Sequence, residues 1–340
     1  MRAIVFSKPG SFALEEVDEP AVGPRDVLVR VQAVGLCGTD LHVLQGEFEP
    51  TVFPIIPGHE TSGVVAAVGE EVTEFVPGDR VSVDPTLTCG ECSFCTSGHA
   101  NLCLQWNGSG VARTNGSAAE LQVAPVRNVH RLSDEVDLEL AALVEPLACA
   151  IRGYDLLPRR MGEHYLIYGA GTMGLMMAQL APRAGAASVT VVDRNPSRLE
   201  AAQEVGVEHV TTSADEVQRR GGWDTVIDCT GVVAAIEDGL QRVRRGGTFQ
   251  QFGVAATDAR ASFSPFRVYN DEITIVGSMA VLNSYARAVE MFAAGALNAA
   301  PMVSHAFALE DYGDALDMFR SGTGRKLQIR PQAAASVELH

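Results

Sequence analysis

The chain has 340 residues, with 26 Lys plus Arg against 42 Asp plus Glu and a formal net charge of −16. That length predicts two domains at roughly 100–200 residues each, and the acidic surplus argues against nucleic acid or an anionic lipid surface as partner. No apolar run reaches the about 18 residues of a bilayer span, so no membrane segment is expected. The N-terminal run Ile4–Phe6 is too short for an export signal and ends in a turn at Ser7-Lys8-Pro9. Seven cysteines, four of them between residues 89 and 103, therefore read as metal ligands in a reducing, cytoplasmic setting and not as a disulfide framework. Of the 26 basic residues only Lys8 and Lys326 are lysines. Both flank sequence that looks like surface turns, and neither sits in a phosphate-binding loop or follows a tyrosine by four, so Schiff-base, P-loop and Tyr-x-x-x-Lys chemistries are excluded.

Taken in chain order, the first 145 or so residues are β-rich. Strands are expected in Asp26–Val34, Gly63–Gly69 and Asp79–Val83, bounded by Gly and Pro. A helical period first appears at Leu138–Val144, just before Glu145-Pro146. From about 150 to 280 strands alternate with helices. The strand-like runs are 165–168, 188–192, 208–211, 224–228, 247–252 and 272–276. One helix starts near Met173 and should kink or end at Pro182, one starts at Asn195-Pro196, and one spans Ala235–Arg245 and stops at Gly246-Gly247. Six strands with crossovers predict an α/β fold with a doubly wound parallel sheet. Two amphipathic helices follow, over Tyr285–Phe292 and Leu309–Phe319, then a strand-like Lys326–Pro331 and a polar tail, 332–340, expected to fray.

The sharpest motif is Cys89-x-x-Cys92-x-x-Cys95 with Cys103 eight positions on. Two-residue gaps turn successive sulfurs toward one point, and the fourth thiolate closes a tetrahedral zinc site with no position left for a reactant. An iron–sulfur cluster is the metal alternative, but bacterial ferredoxin spacing ends in C-x3-C-P. A nucleic-acid zinc ribbon fails because no Lys or Arg lies between Arg80 and Arg113. Cys37, in Gly35-Leu36-Cys37-Gly38-Thr39-Asp40-Leu41-His42, together with His59, Glu60 and Glu145, offers the mixed donors of an open, catalytic metal site. The residues alone leave that open. Each is equally readable as a buried thiol, a loop histidine or a solvated charge.

Gly169-Ala170-Gly171-Thr172-Met173-Gly174 follows a strand and opens a helix, and Asp193 lies 19 residues past its third glycine. In that setting the glycines form a dinucleotide fingerprint. Gly169 makes the tight turn, Gly171 and the N–H groups of the helix start, including Thr172 and Met173, meet a pyrophosphate, and Gly174 allows close helix–strand packing. Asp193 would accept hydrogen bonds from the adenosine ribose hydroxyls and repel a 2′-phosphate, which favours NAD over NADP. Arg194 and Arg198 could instead bind that phosphate.

These motifs, with Pro57-Gly58-His59-Glu60 and Glu145-Pro146-Leu147, give the chain a resemblance to the zinc-dependent medium-chain dehydrogenase/reductase superfamily that runs to about Pro331. The resemblance implies a GroES-like catalytic domain (1–149 and 284–340) and a Rossmann cofactor domain (150–283). It further implies two zinc ions: one structural on the four cysteines, and one catalytic on Cys37, His59 and Glu60 with Glu145 as a direct or water-mediated partner. It implies that Thr39 and His42 relay the substrate proton to solvent, and that the protein is a homotetramer or homodimer. Within the superfamily, Glu after the histidine and Glu before Pro-Leu are similar to polyol (sorbitol-like), butanediol and threonine dehydrogenases. Threonine dehydrogenases usually carry a Trp-Asp pair a few residues after the relay histidine, where this chain has Gln45-Gly46-Glu47-Phe48. The expected activity is hydride transfer from a secondary alcohol, a sugar alcohol or cyclitol first, to NAD. The alternatives are a simple alcohol, butanediol or threonine dehydrogenase, and an inactive zinc- and nucleotide-binding protein.

Overall fold

In the computed structural model, residues 1–339 are described. The N-terminal strand Arg2–Lys8 turns at Pro9-Gly10 and returns as Ser11–Glu16, a hairpin that the sequence pattern did not announce. Phe6, Phe12 and Tyr312 hold this hairpin to the helix Tyr312–Ser321 through ring contacts at 5.6–6.3 Å between centroids. Such pairs contribute about 0.5–1.5 kcal/mol each beyond their buried area.

The chain folds as two units. One comprises Met1–Ala148, Val281–Gly295 and the residues from Val303 onward; the other comprises Cys149–Ala280 and Ala296–Met302, so the expected return of 284–340 to the first unit is interrupted. The first unit is built on an eight-stranded sheet around the strand Asp26–Gly35. The strand divides the core along its length, with Val27 and Val29 near its start packing with Val65, Phe75 and Val81, while Val31 and Val34 further on pack with Ile55, Leu327 and Ile329. Glu60–Val68 and Lys326–Ile329 flank this strand antiparallel, placing Gly35 opposite both Glu60 and Gln328. Two expectations are corrected in this unit. Leu140–Leu143, within the expected helical stretch, is a short 3-10 turn that leads into the α-helix Val144–Asp155, which runs on through Glu145-Pro146. Pro146 lies in the first turn, where a missing N–H costs nothing. The tail does not fray throughout, because Val337–Glu338 pairs antiparallel with Val303–Phe307; His340 lies outside the described residues.

The second unit contains the parallel sheet that the alternating pattern predicts. Its strands lie in the order His209–Thr211, Ala186–Val192, Glu163–Tyr168, Trp223–Asp228, Val243–Gln251 and Thr274–Gly277, all parallel. The central strands are buried on both faces, as Tyr165, Leu166 and Ile167 show. The helix Thr172–Leu180 tightens to a 3-10 turn at Ala181–Ala184 around Pro182, as expected. The helix expected over Ala235–Arg245 is instead Val233–Arg242. Val243 has left it to pair with Trp223, so the strand already includes Gly246-Gly247. No helix is long and apolar enough to cross a membrane among the described residues.

Candidate active site

The glycine-rich turn in the second unit is shaped by its own backbone. Gly169 sits at φ +99°, in the left-handed region that favours glycine, and a Cβ on Gly174 would lie 1.8 Å from the Gly169 carbonyl oxygen. Gly171 is different. It caps the helix Thr172–Leu180, and a Cβ there would meet nothing within 4 Å. Its glycine is not required by the fold. The open space lies at the helix N-terminus, where the first-turn N–H groups at Thr172, Met173 and Gly174 have no intrahelical partner, which is the cradle a pyrophosphate fits. Asp193, at the end of the Ala186–Val192 strand, accepts from the Ala170 N–H (2.8 Å) and the Asn195 N–H (2.9 Å), and Arg198 stands 4.0 Å from it. Its carboxylate is thus locked beside the turn. Arg194 is exposed.

The four-cysteine lobe belongs to the first unit. Cys92 caps the four-residue helix Ser93–Thr96 and Cys103 follows the 3-10 turn Ala100–Leu102. Sulfur separations of 3.4 Å (Cys103–Cys89), 3.9 Å (Cys89–Cys95) and 3.9 Å (Cys92–Cys103) are close to the edge of about 3.8 Å that 2.3 Å Zn–S bonds give a tetrahedron. N–H groups of Cys92, Cys89 and Gln105 point at these sulfurs at 3.3–3.4 Å. Hydrogen bonds from the Cys95 and Leu104 N–H groups pull the Cys92 thiol down to about 6, while desolvation and the neighbouring sulfurs push Cys95 up to about 12. Four thiols so close do not all ionise unaided, and a cation would remove the conflict. Between Cys89 and Cys103 only Asn101 and Cys103 are buried. A lobe with so little core fits a metal that would contribute to its folding.

Cys37, His59 and Glu60 come together in the same unit, with ligand atoms within 4.8 Å of one another. Glu145, buried in the first turn of its helix, is not part of that set. The three are brought together by backbone. Cys37 caps the helix Gly38–Gln45, His59 ends a loop, and Glu60 starts the strand beside Gly35. Asp40 links two of them, since one carboxylate oxygen accepts the Cys37 N–H at 2.9 Å and the other lies 3.4 Å from His59 Nδ1. Nδ1 thereby faces Asp40, which would leave Nε2 for a metal. The contact to Asp40 lacks hydrogen-bond geometry, so Nδ1 of His59 and Oδ1 of Asp40 are buried with no hydrogen-bond partner; Oε2 of Glu60 also has none. The half-buried Cys37 thiol, the buried His59 ring and a buried Glu60 oxygen without a hydrogen bond are the mixed S, N and O donors that fit a divalent metal. Desolvation disfavours a charged His59 ring, but Asp40 and Cys37 outweigh it and hold its pKa well above the ordinary value. A metal would displace that proton.

Thr39 and His42 lie three residues apart on the helix Gly38–Gln45, on one face. Thr39 Oγ1 is 3.7 Å from the Cys37 sulfur, while His42 Nδ1 sits 2.7 Å from Glu47 Oε2 at the surface. The two do not bond directly, so a proton passing between them needs an intervening hydroxyl or water.

The sequence pattern missed two side chains. Asp40 could have been found, because an acid three residues after a helix-capping residue is the spacing of a capping box. Lys326 is the opposite of its expected place on a surface turn. It is 4% exposed, and its ammonium lies 2.6 Å from Glu60 Oε1 and 2.5 Å from Oε2. Desolvation opposes its charge, but Glu60 and Cys37 keep it protonated, with a raised pKa. Schiff-base chemistry is therefore excluded by this pairing and not by exposure.

A GroES-like β unit with two metal-fitting clusters and a Rossmann unit with a dinucleotide turn define the architecture of a zinc-dependent dehydrogenase. Residues 23–134 match the alcohol dehydrogenase GroES-like domain family and residues 172–294 match the zinc-binding dehydrogenase family. D-arabinitol dehydrogenase 1 of Uromyces fabae is 34% identical over 344 residues, covering 97% of this chain and 97% of the relative. D-altritol 5-dehydrogenase of Agrobacterium fabrum is 38% identical over 320 residues, covering 92% and 94%. The NADP-bound crystal structure of a zinc-binding dehydrogenase homologue from Sinorhizobium meliloti 1021 superposes with a TM-score of 0.91 at 31% identity, covering 97% of this chain and 99% of that one. The chain belongs to the zinc-dependent medium-chain dehydrogenase/reductase superfamily, in its polyol dehydrogenase group, and is an enzyme acting on CH–OH donors.

Proposed function

We propose that the protein oxidises a secondary alcohol of a polyol, a sugar alcohol or cyclitol, to the ketone with NAD as acceptor. The observation that carries this reading is the convergence of Cys37, His59 and Glu60, whose ligand atoms lie within 4.8 Å of one another beside Thr39. When bound, a zinc ion there supplies the Lewis acidity that lets an alcohol ionise near neutral pH, and the nicotinamide supplies the hydride acceptor. Cys37, His59 and Glu60 hold the metal, and Glu145 acts beside them, directly or through water. Asp40 fixes Cys37 and His59 in place. Thr39 takes the hydroxyl proton, and His42 delivers it to solvent at the exposed end of the helix. The carbinol hydrogen leaves with its electron pair for the cofactor, so the products are a ketone, reduced nicotinamide and one proton. The four cysteines hold a second, structural zinc. The nucleotide's pyrophosphate rests on Gly169–Gly174 and its ribose hydroxyls bond Asp193.

NAD is favoured over NADP because the Asp193 carboxylate is fixed by two N–H groups and would face a 2′-phosphate with like charge. The NADP-bound homologue favours the second reading, in which Arg194 and Arg198 carry that phosphate. Two features support a homotetramer or homodimer. Thr274–Gly277 is an edge strand, and Phe266, Tyr269 and Ile275 are exposed in and just before it. The seven cysteines, all free of disulfides, suit a cytoplasmic setting.

Nicotinamide reduction across polyols, diols and threonine, with NAD and NADP in parallel, tests the assignment. Activity confined to threonine would overturn the substrate class. Asp193→Gly should shift the NAD/NADP preference by on the order of 10²-fold, about 2.7 kcal/mol. Wild-type protein that prefers NADP outright would defeat the argument from Asp193.

A further inference from the structure

Lys326 occupies a site that the sheet has been cut to fit. Gln328 and Glu60 both lie opposite Gly35, on the two strands that flank it, and Lys326 precedes Gln328 by two residues and so shares its face. Its chain crosses the gap where Gly35 has no side chain. A Cβ on Gly35 would lie 2.0 Å from Glu60 Oε2 and 2.6 Å from Lys326 Cε. The chain uses arginine for 24 of its 26 basic residues (26 less Lys8 and Lys326), yet a lysine stands here. A slim stem with a point charge reaches across a bare glycine; a planar guanidinium is wider and grips both carboxylate oxygens.

The contact is also asymmetric. Oε1 takes the hydrogen bond from the ammonium, whereas Oε2 touches it without hydrogen-bond geometry and keeps a lone pair available. A cation at the Cys37–His59–Glu60 cluster would therefore share the carboxylate with Lys326 and would not need to expel it. Two cations on one carboxylate oppose each other, and the opposition is reciprocal: the ammonium weakens the metal's hold as much as the metal weakens the ammonium's. The thiolate of Cys37 and the carboxylates of Glu60 and Asp40 together outweigh a dication by one negative charge, and the ammonium of Lys326 offsets it.

We infer that Lys326 is a positioning residue that competes with the metal for Glu60, making this carboxylate an exchangeable ligand and so keeping a coordination position open for the substrate. The inference rests on Cys37, His59 and Glu60 being metal ligands, as proposed above.

The test is the affinity of that centre for cobalt(II), titrated into protein whose four-cysteine lobe retains zinc and followed by the visible absorption of the mixed sulfur–nitrogen–oxygen site. Without Lys326 the metal-free protein must hold a buried, unpaired carboxylate, which cobalt relieves. Lys326→Met should therefore bind cobalt about ten-fold more tightly or better, the equivalent of about 1.4 kcal/mol. Lys326→Arg, gripping both oxygens, should bind it several-fold more weakly. Both changes should disappear when Glu60 is already Gln. A packing role for Lys326 would instead loosen the site or leave it alone, equally in both backgrounds. Affinity in Lys326→Met that is unchanged or reduced, or a gain that persists with Glu60→Gln, overturns the inference. If Lys326→Met does not fold, Lys326→Arg carries the test with and without Glu60→Gln, and wild-type affinity in the Arg variant is the overturning result. Wild-type protein that takes up metal only on the four cysteines would defeat the metal-centre reading itself, a different failure.

Discussion

The two metal-fitting clusters of the first unit are made in opposite ways. Cys89, Cys92, Cys95 and Cys103 come from one short, largely exposed stretch, and their sulfurs meet because a four-residue helix and a 3-10 turn fold the chain back on itself. Cys37, His59 and Glu60 come from a helix cap, a loop end and a strand start, all buried or half-buried, and they meet only through the surrounding sheet. On the reading proposed above, metal makes structure in the lobe, whereas in the second cluster structure makes a place for metal. The first needs four identical soft ligands and no surroundings. The second depends on Asp40 behind His59 and Lys326 behind Glu60, outer partners that tune what the ligands do.

The contrast can be broken most forcefully at His59. His59→Ala leaves Cys37 and Glu60 as an incomplete set, and the alcohol then has to ionise near its aqueous pKa. Turnover should fall by roughly 10³-fold or more, or about 4 kcal/mol. Because the sheet forms without that metal, the fold, NAD binding and the lobe zinc should persist, with metal content dropping from two per chain to about one. An active His59→Ala protein with two zincs, or one that unfolds and loses NAD binding, would refute the assignment.

Cys103→Ser probes the other half of the comparison. It should release the lobe zinc and destabilise the lobe by several kcal/mol, since there metal binding is folding free energy. Cobalt affinity at Cys37–His59–Glu60 should stay near wild type. Unchanged zinc stoichiometry and an unchanged melting temperature would show that the cysteines are not the ligands.

This difference also explains what could be read in advance. A cluster made by local spacing is legible, and so is a parallel sheet whose strands are continuous apolar runs. Glu163–Tyr168 and Trp223–Asp228 lie within two residues of their expected bounds. The dinucleotide turn is legible for the same reason, strand, glycines and acid being in one segment. The Cys37–His59–Glu60 cluster was not legible from spacing, and only the family resemblance joined its members. Lys326 had no local signal at all, because its burial depends on a strand about 290 residues earlier in the chain, Asp26–Gly35, that pairs with its own. The hairpin Arg2–Glu16 was missed because its second strand is mostly exposed and lacks the alternation that marks a half-buried one.

Gly35→Ala sharpens the comparison at smaller scale. The added Cβ must push Glu60 and Lys326 apart inside a packed sheet, at a cost of about 1–3 kcal/mol in stability. It should also alter cobalt affinity at the buried centre without touching the zinc of the lobe. Loss of stability with unchanged cobalt affinity would mean that Gly35 serves strand packing alone.

The smallest expected effect concerns a carboxylate with no such partner. Asp84 directly follows the strand Arg80–Val83, on the way to the lobe, and no ion pair among the described residues reaches it. Burial pushes its pKa up to about 6, only partly offset by the Thr86 N–H that it accepts at 2.8 Å. The sign follows from linkage. Between the unfolded value near 4 and the folded value near 6 the native state binds the extra proton, so stability is present at low pH and is lost as pH rises through that window. Asp84→Asn keeps the acceptor oxygen and removes the charge. It should therefore be more stable than wild type at pH 7 by on the order of 1–2 kcal/mol, and the gain should fade toward pH 4, where Asp84 is protonated in both states. Urea midpoints of the two proteins, compared at each pH from 4 to 8, measure it as a difference in which the effect of acid on the thiolates cancels. A gain that does not depend on pH would mean that charge burial is not what Asp84 costs. A loss at every pH would mean that its second oxygen has a partner that the amide cannot replace. Removing the charge of Glu60, more deeply buried and faced by Lys326, should cost stability instead, because it leaves an ammonium with no partner inside the sheet.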